Sequence, residues 1–138
     1  MGRETLRLGD AGGDHLQFDI GSRLGSAADT YASWPASVSV RSGTFEGYVD
    51  AYLYAWEITA FVDQLQSLYT ALTGEAVLEG QEGDLHFRLE GNGRGAITVE
   101  GTLRAFGRPR PLSLDFYFVI DQTYLPAFLA GLKKIVSA

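Results

Sequence analysis

The chain has 138 residues, one domain's worth, and its 46% hydrophobic, 12% aromatic and 20% charged content excludes disorder as its main state. It has no cysteine, which excludes disulfide frameworks, cysteine–zinc sites and thiol nucleophiles and fits a reducing cytoplasm. The formal net charge of −6 gains nothing from phosphate counterion release, so nucleic acid is not an expected partner and a basic protein surface is.

Glycine punctuates short runs with a period of two, the signature of strands with one buried face. In chain order, Leu6 and Leu8, then Leu16, Phe18 and Ile20, then Val38 and Val40 alternate with polar residues. Phe45, Val49, Ala51 and Leu53 alternate with Glu46, Tyr48, Asp50, Tyr52 and Tyr54. Residues 21–33 form the longest irregular stretch, and the rings of Tyr31 and Trp34 are expected to anchor its end.

The period then changes. Phe61, Val62, Leu65, Leu68, Tyr69 and Leu72 recur at three and four, predicting a helix with Thr59 as N-cap and Gly74 as C′ stop. Ala76 and Leu78 open a second set of strands. It continues through Leu85 to Leu89, Ile97 to Leu103, and Leu112, Leu114, Phe116, Phe118 and Ile120. The joints at 80–84, 91–95 and 107–111 are rich in turn residues, so hairpins are expected. A final helix follows over Leu125, Phe128, Leu129, Leu132, Ile135 and Val136. Asp121 or Thr123 can cap it, Pro126 falls in its first turn, and Lys133 and Lys134 complement its dipole.

The expected fold is therefore α+β, a single domain over residues 1–138. It has about eight mostly antiparallel strands and two helices, in the order four strands, helix, four strands, helix. Its core is expected to hold Phe61, Leu65, Leu68, Phe116, Phe118, Leu125, Phe128 and Leu132. A shift of 64 residues places Glu57 on Asp121, Phe61 on Leu125 and Leu65 on Leu129. That raises a weak internal duplication with halves 5–74 and 75–138, although any two capped amphipathic helices after a strand would look alike. No stretch approaches the roughly 20 apolar residues of a membrane span, and the first five residues hold no apolar signal core. No membrane partner is expected, and the localisation expected is cytoplasmic.

The search for chemistry is nearly empty. His15 and His86 each have an aspartate close in sequence, Asp19 and Asp84, and a His–carboxylate pair can orient a general base. Both histidines also fit plain surface positions on strands. No metal-ligand spacing, calcium loop or G-x-S-x-G elbow is present, so neither a cofactor nor an enzymatic role is expected. The glycines of 91–95 do not open a helix, as a dinucleotide loop must, and read as a hairpin. Arg104, Arg108 and Arg110 form the one local basic cluster, expected in solvent. The polar sheet face is richer. Tyr48, Tyr52, Tyr54 and Tyr117 are expected there among Glu46, Asp50, Glu90, Glu100 and Asp115. Tyrosine buries interface area at little entropic cost, and surrounding carboxylates steer a basic partner. Glu46, Tyr48, Asp50, Tyr52, Tyr54 and Tyr117 are the candidate partner-binding residues. The competing arrangement puts these tyrosines under the 21–33 loop or in a second core.

The chain resembles the WapI-like immunity proteins in Ser33-Trp34-Pro35, in the strand Gly43 to Gly47, and in the helix from Thr59 through Phe61 and Leu65 to Gly74-Glu75-Ala76. The likeness continues through Leu85 to Leu89 and Gly95 to Gly101 and is sharpest at Asp121-Gln122-Thr123-Tyr124-Leu125. These positions are caps, core and turns, so the resemblance assigns no toxin-contact residue. It implies a non-enzymatic role in binding a toxin, in the WapI case a tRNA-cleaving nuclease. The alternative is a small β-rich module that binds a ligand such as a sugar through its surface aromatics. An enzyme with a dispersed site is a third reading.

Overall fold

The structure is a computed structural model and describes residues 4–26, 31–107 and 109–137. Two antiparallel meanders each end in a helix. Strands β1 (Glu4–Gly9), β2 (His15–Ile20), β3 (Ser33–Ser42) and β4 (Phe45–Tyr54) form one sheet in that order, followed by helix α1 (Ala55–Ala71). Strands β5 (Thr73–Glu79), β6 (Leu85–Asn92), β7 (Ala96–Ala105) and β8 (Leu112–Asp121) form the second. A 3₁₀ turn over Gln122–Tyr124 leads into α2 (Leu125–Ser137). The expected α+β order is what the chain adopts. Register follows the period-two pattern: Leu16 faces Leu8 and Val40, and Leu89 faces Ala76 and Val99, so each sheet keeps one apolar face. The β3–β4 hairpin closes on Gly43-Thr44, and Gly43 supplies the positive φ of 65° that a two-residue turn needs. At 91–95, Asn92 Oδ1 accepts the Arg94 and Ala96 N–H groups, which makes that glycine-rich stretch the expected hairpin.

Helix α1 starts before Thr59. Its N-cap is Tyr54, whose N–H donates to Glu57 Oε1 at 3.1 Å. An acidic side chain reaching back from the first turn replaces a short acceptor at the cap itself. The helix also ends without the predicted glycine. Leu72 takes the left-handed conformation, φ 61°, and its carbonyl accepts the Gly93 N–H at 2.8 Å. Gly91 is what allows this, because a Cβ there would overlap that carbonyl. Before α2, Asp121 Oδ2 accepts the Thr123 N–H at 3.0 Å. Asp121 therefore caps the 3₁₀ turn that precedes α2, and not α2 itself as expected.

Rings from both sheets and both helices meet in one core. Phe87 of β6 lies 5.7 Å from Phe18 of β2 and 5.2 Å from Phe61 of α1, and Phe18 lies 5.8 Å from Phe128 of α2. All eight expected core residues are buried. Phe45 and Leu112 are not: they are 68% and 71% exposed. Both keep the inward phase of their strands, but they stand at strand starts, where the opposing layer no longer covers them. Of the two rings expected to anchor the long loop, Trp34 is buried and Tyr31 is exposed. The offset that matches the buried faces of the two helices is 67 residues, not 64. It pairs Ile58 with Leu125, Phe61 with Phe128, Val62 with Leu129, Leu65 with Leu132 and Leu68 with Ile135. Among the described residues, no helix is long and apolar enough to cross a membrane.

Candidate functional site

Strand β4 is one edge of the first sheet, and its outer face carries most of the candidate residues. From Tyr48 onward its residues alternate: Val49, Ala51 and Leu53 point into the core, and Tyr48, Asp50 and Tyr52 point out. Tyr48 is 66% exposed and Tyr52 49%, so neither is buried beneath a loop or committed to a second core. Glu46 is exposed beside them, opposite Arg41 on β3. Next to this row, β3 presents small residues, Pro35, Ser37 and Ser39, which leave a trough. Asp19 and Asp50 flank Ser37 on its two sides, and Tyr52 closes the end of the trough. Asp19 accepts hydrogen bonds from Thr5 and Gln17, both neutral.

Asp50 and Tyr52 also line a second, larger cleft of about 490 Å³ that opens beside the trough. Its far wall comes from the other half of the chain: Glu82 and Asp84 in the β5–β6 turn, and Phe106 just after β7. Tyr54 spans the cleft, donating its hydroxyl to Glu82 Oε2 at 3.0 Å. Phe106 is 60% exposed, and a Cβ at Gly83 would stand in ordinary van der Waals contact with its ring tip. Glu57 anchors the turn from beneath. It is 5% exposed, and its second oxygen accepts the Gln81 N–H at 2.6 Å.

The electrostatics of this cleft are one-sided. Burial pushes the carboxyl groups of Glu57 and Asp84 above their ordinary values, and the neighbouring Glu82 adds to both shifts. The Tyr54 phenol is raised too, first by its hydrogen bond to Glu82. Among the described residues, no lysine or arginine forms an ion pair with Asp50, Glu82 or Asp84. The Arg104 guanidinium points instead to Ser113, 3.4 Å away.

The outer face of the second sheet differs. Arg88 pairs with Glu75, Glu90 and Glu100 at 3.2, 3.5 and 2.9 Å, and Thr102 donates to Asp115. Glu75, Glu90, Glu100 and Asp115 on this face are thus countered or bonded within the chain. Tyr117, 60% exposed, lies on this sheet, so the tyrosines expected on one face divide between two. The sheets meet at its backbone, where the Ser42 hydroxyl donates to the Tyr117 carbonyl and lies 3.3 Å from its N–H. The histidines form no pair with the neighbouring aspartates. His15 Nδ1 faces the Gly13 carbonyl at 2.8 Å, and His86 is exposed on β6. Among the described residues, no group of three His, Asp or Glu side chains could hold a metal. Arg110 is exposed, and Arg108 lies outside the described residues.

Sequence reasoning missed Glu82, Asp84 and Phe106. The first two read as turn residues of the 80–84 joint, and the third falls between the last alternating residue of its strand and the 107–111 joint, where no role is expected. Only the pairing of the two halves brings them to β4.

The model of the immunity protein WapI-like family matches residues 7–138, nearly the whole chain. No curated protein matches it significantly.

Proposed function

Because the chain belongs to the WapI-like immunity protein family, we propose that it binds and neutralises a basic cognate toxin domain, acting by occupation and not by chemistry of its own. The observation that carries this reading is the outer row of β4. Glu46, Tyr48, Asp50 and Tyr52 stand exposed on one strand, in a chain of net charge −6. Rigid aromatic area set among carboxylates is what a basic surface would meet with both steering and contact energy. Tyr54 contributes through the cleft. Tyr117 joins the interface if the partner reaches across the Ser42 seam.

A tRNA-cleaving nuclease is the toxin class this reading favours, since a site that handles RNA is itself cationic. The complex would form in the cytoplasm, where such a toxin meets its substrate. The test is co-expression with the product of the neighbouring gene, followed by affinity capture and a growth assay. A stoichiometric complex with restored growth is expected. Growth arrest with no captured toxin would reject the reading.

A further inference from the structure

We propose that the cleft shared by β4, the β5–β6 turn and Phe106 receives an arginine side chain of the partner protein. The proposal rests on the toxin-binding reading above and names what the partner presents to this site. Three aromatic side chains line the cleft, namely Tyr52, Tyr54 and Phe106, and two of them keep about half or more of their surface in water. An exposed phenylalanine beside an exposed tyrosine in a concave site is apolar area without an internal use. Asp50, Glu82 and Asp84 line the same space, and no described cation pairs with them. The occupant must therefore carry positive charge and also offer a surface that stacks.

Those two demands together select guanidinium over ammonium. Guanidinium is planar, weakly hydrated and stacks on aromatic faces, while its fork of donors matches carboxylate oxygens. A lysine ammonium satisfies the charge and forgoes the stacking. The Tyr54 hydroxyl already occupies one oxygen of Glu82 and leaves the other as an acceptor. Where Arg88 on the second sheet holds three carboxylates from within the chain, this cleft has the same kind of acids, and among the described residues no arginine pairs with them. The space of about 490 Å³ is ample for one long side chain entering from a partner.

The experiment titrates the ¹⁵N-labelled full chain with acetyl-Gly-Arg-Gly amide and with its lysine and citrulline counterparts. Citrulline keeps the shape and loses the charge. Expected are amide shifts centred on residues 50–54, 81–84 and 106 for the arginine peptide, weaker ones for lysine and none for citrulline. Tyr52→Ala and Phe106→Ala should each weaken the arginine peptide about threefold or more. Both side chains are substantially exposed, so the variants are expected to keep the wild-type spectrum elsewhere. Scattered shifts, equal shifts with citrulline, or indifference to both substitutions would overturn the proposal. Toxin binding by the wild-type chain is measured alongside. Toxin bound with full affinity by both variants sinks the arginine site and leaves the immunity reading standing. Absence of toxin binding by the wild type sinks the reading itself.

Discussion

Glu57 and Gln81 sit 24 positions apart in sequence, yet the carboxylate of one accepts the backbone N–H of the other at 2.6 Å. The remaining oxygen takes the Tyr54 N–H at the start of α1. One buried side chain thus caps a helix and pins the turn that forms the far wall of the cleft. Glu57→Ala would leave two N–H groups without their acceptor and should cost about 2–3 kcal/mol, less than two full charged hydrogen bonds because burying the carboxylate is itself unfavourable. Urea unfolding measures it. A loss near zero would show that the turn holds without the carboxylate.

The raised pKa values of Glu57 and Asp84 give a pH dependence of definite sign. A carboxyl whose folded pKa lies above its unfolded one keeps its proton longer in the folded chain. Stability from these groups is therefore greatest at the acid end and falls as pH rises through the raised values. Asp121 acts in the opposite sense, because its bond to Thr123 lowers its pKa, and its contribution is lost as pH falls. Unfolding midpoints between about pH 4 and pH 7 should decline less steeply for Asp84→Asn than for the wild type. An unchanged slope would mean that Asp84 titrates alike in both states.

Much of this fold was legible because its sheets are half-buried and therefore alternate. Leu16, Phe18 and Ile20 announce β2, and Phe116 and Phe118 announce β8, with no reference to tertiary context. Helix boundaries were less legible. The start of α1 depends on Glu57 reaching back to Tyr54, and its end depends on Gly91, a residue of another element, making room for the Leu72 carbonyl. Burial at strand starts was illegible for a similar reason. The pattern assigns Phe45 a side of the sheet, and only the extent of the opposing layer decides whether that side is covered. The β4 half of the candidate site was readable as one alternating run. The Glu82, Asp84 and Phe106 half required the two meanders to be brought together.

Phe87 tests the core against the rim. It is fully buried and touches rings from the other sheet and from α1. Phe87→Ala should cost about 3–5 kcal/mol, transfer plus cavity. Phe45→Ala, at the exposed hairpin start, should stay within about 0.5 kcal/mol. Similar losses at both sites, read from denaturant midpoints, would contradict the assignment of the core.

Gly131 lies on α2 where the helix crosses β1. A Cβ there would collide with the side chain of Leu6, itself buried. Helix propensity alone favours alanine over glycine by about 1 kcal/mol, so the sign of Gly131→Ala separates propensity from packing. Packing predicts net destabilisation, by about 1–3 kcal/mol, as overpacking does. Leu6→Ala in the same chain should make the Gly131→Ala change less costly, since it removes the clashing atoms. Thermal melts of the two single variants and the double variant give the coupling directly.

The last prediction concerns where the toxin is met. Glu46 and Asp50 lie on the exposed row of β4, whereas Glu90 lies 3.5 Å from Arg88 on the other sheet. If steering acts through β4, Glu46→Lys with Asp50→Lys should slow toxin association and flatten its dependence on salt. Screening over about 10 Å at 0.1 M reaches charges that face solvent, and these two do. Glu90→Lys changes the net charge by the same amount per residue, yet should affect association less, because it sits on the other sheet. The comparison matters because a net charge of −6 attracts any cation from a distance, and only a local surface distinguishes one acid from another. Stopped-flow association rates for the three proteins across a salt series decide it. Equal slowing per reversed charge by the β4 and β6 variants would mean that overall charge steers the toxin, and that the alternating tyrosines and acids of β4 are not where it docks.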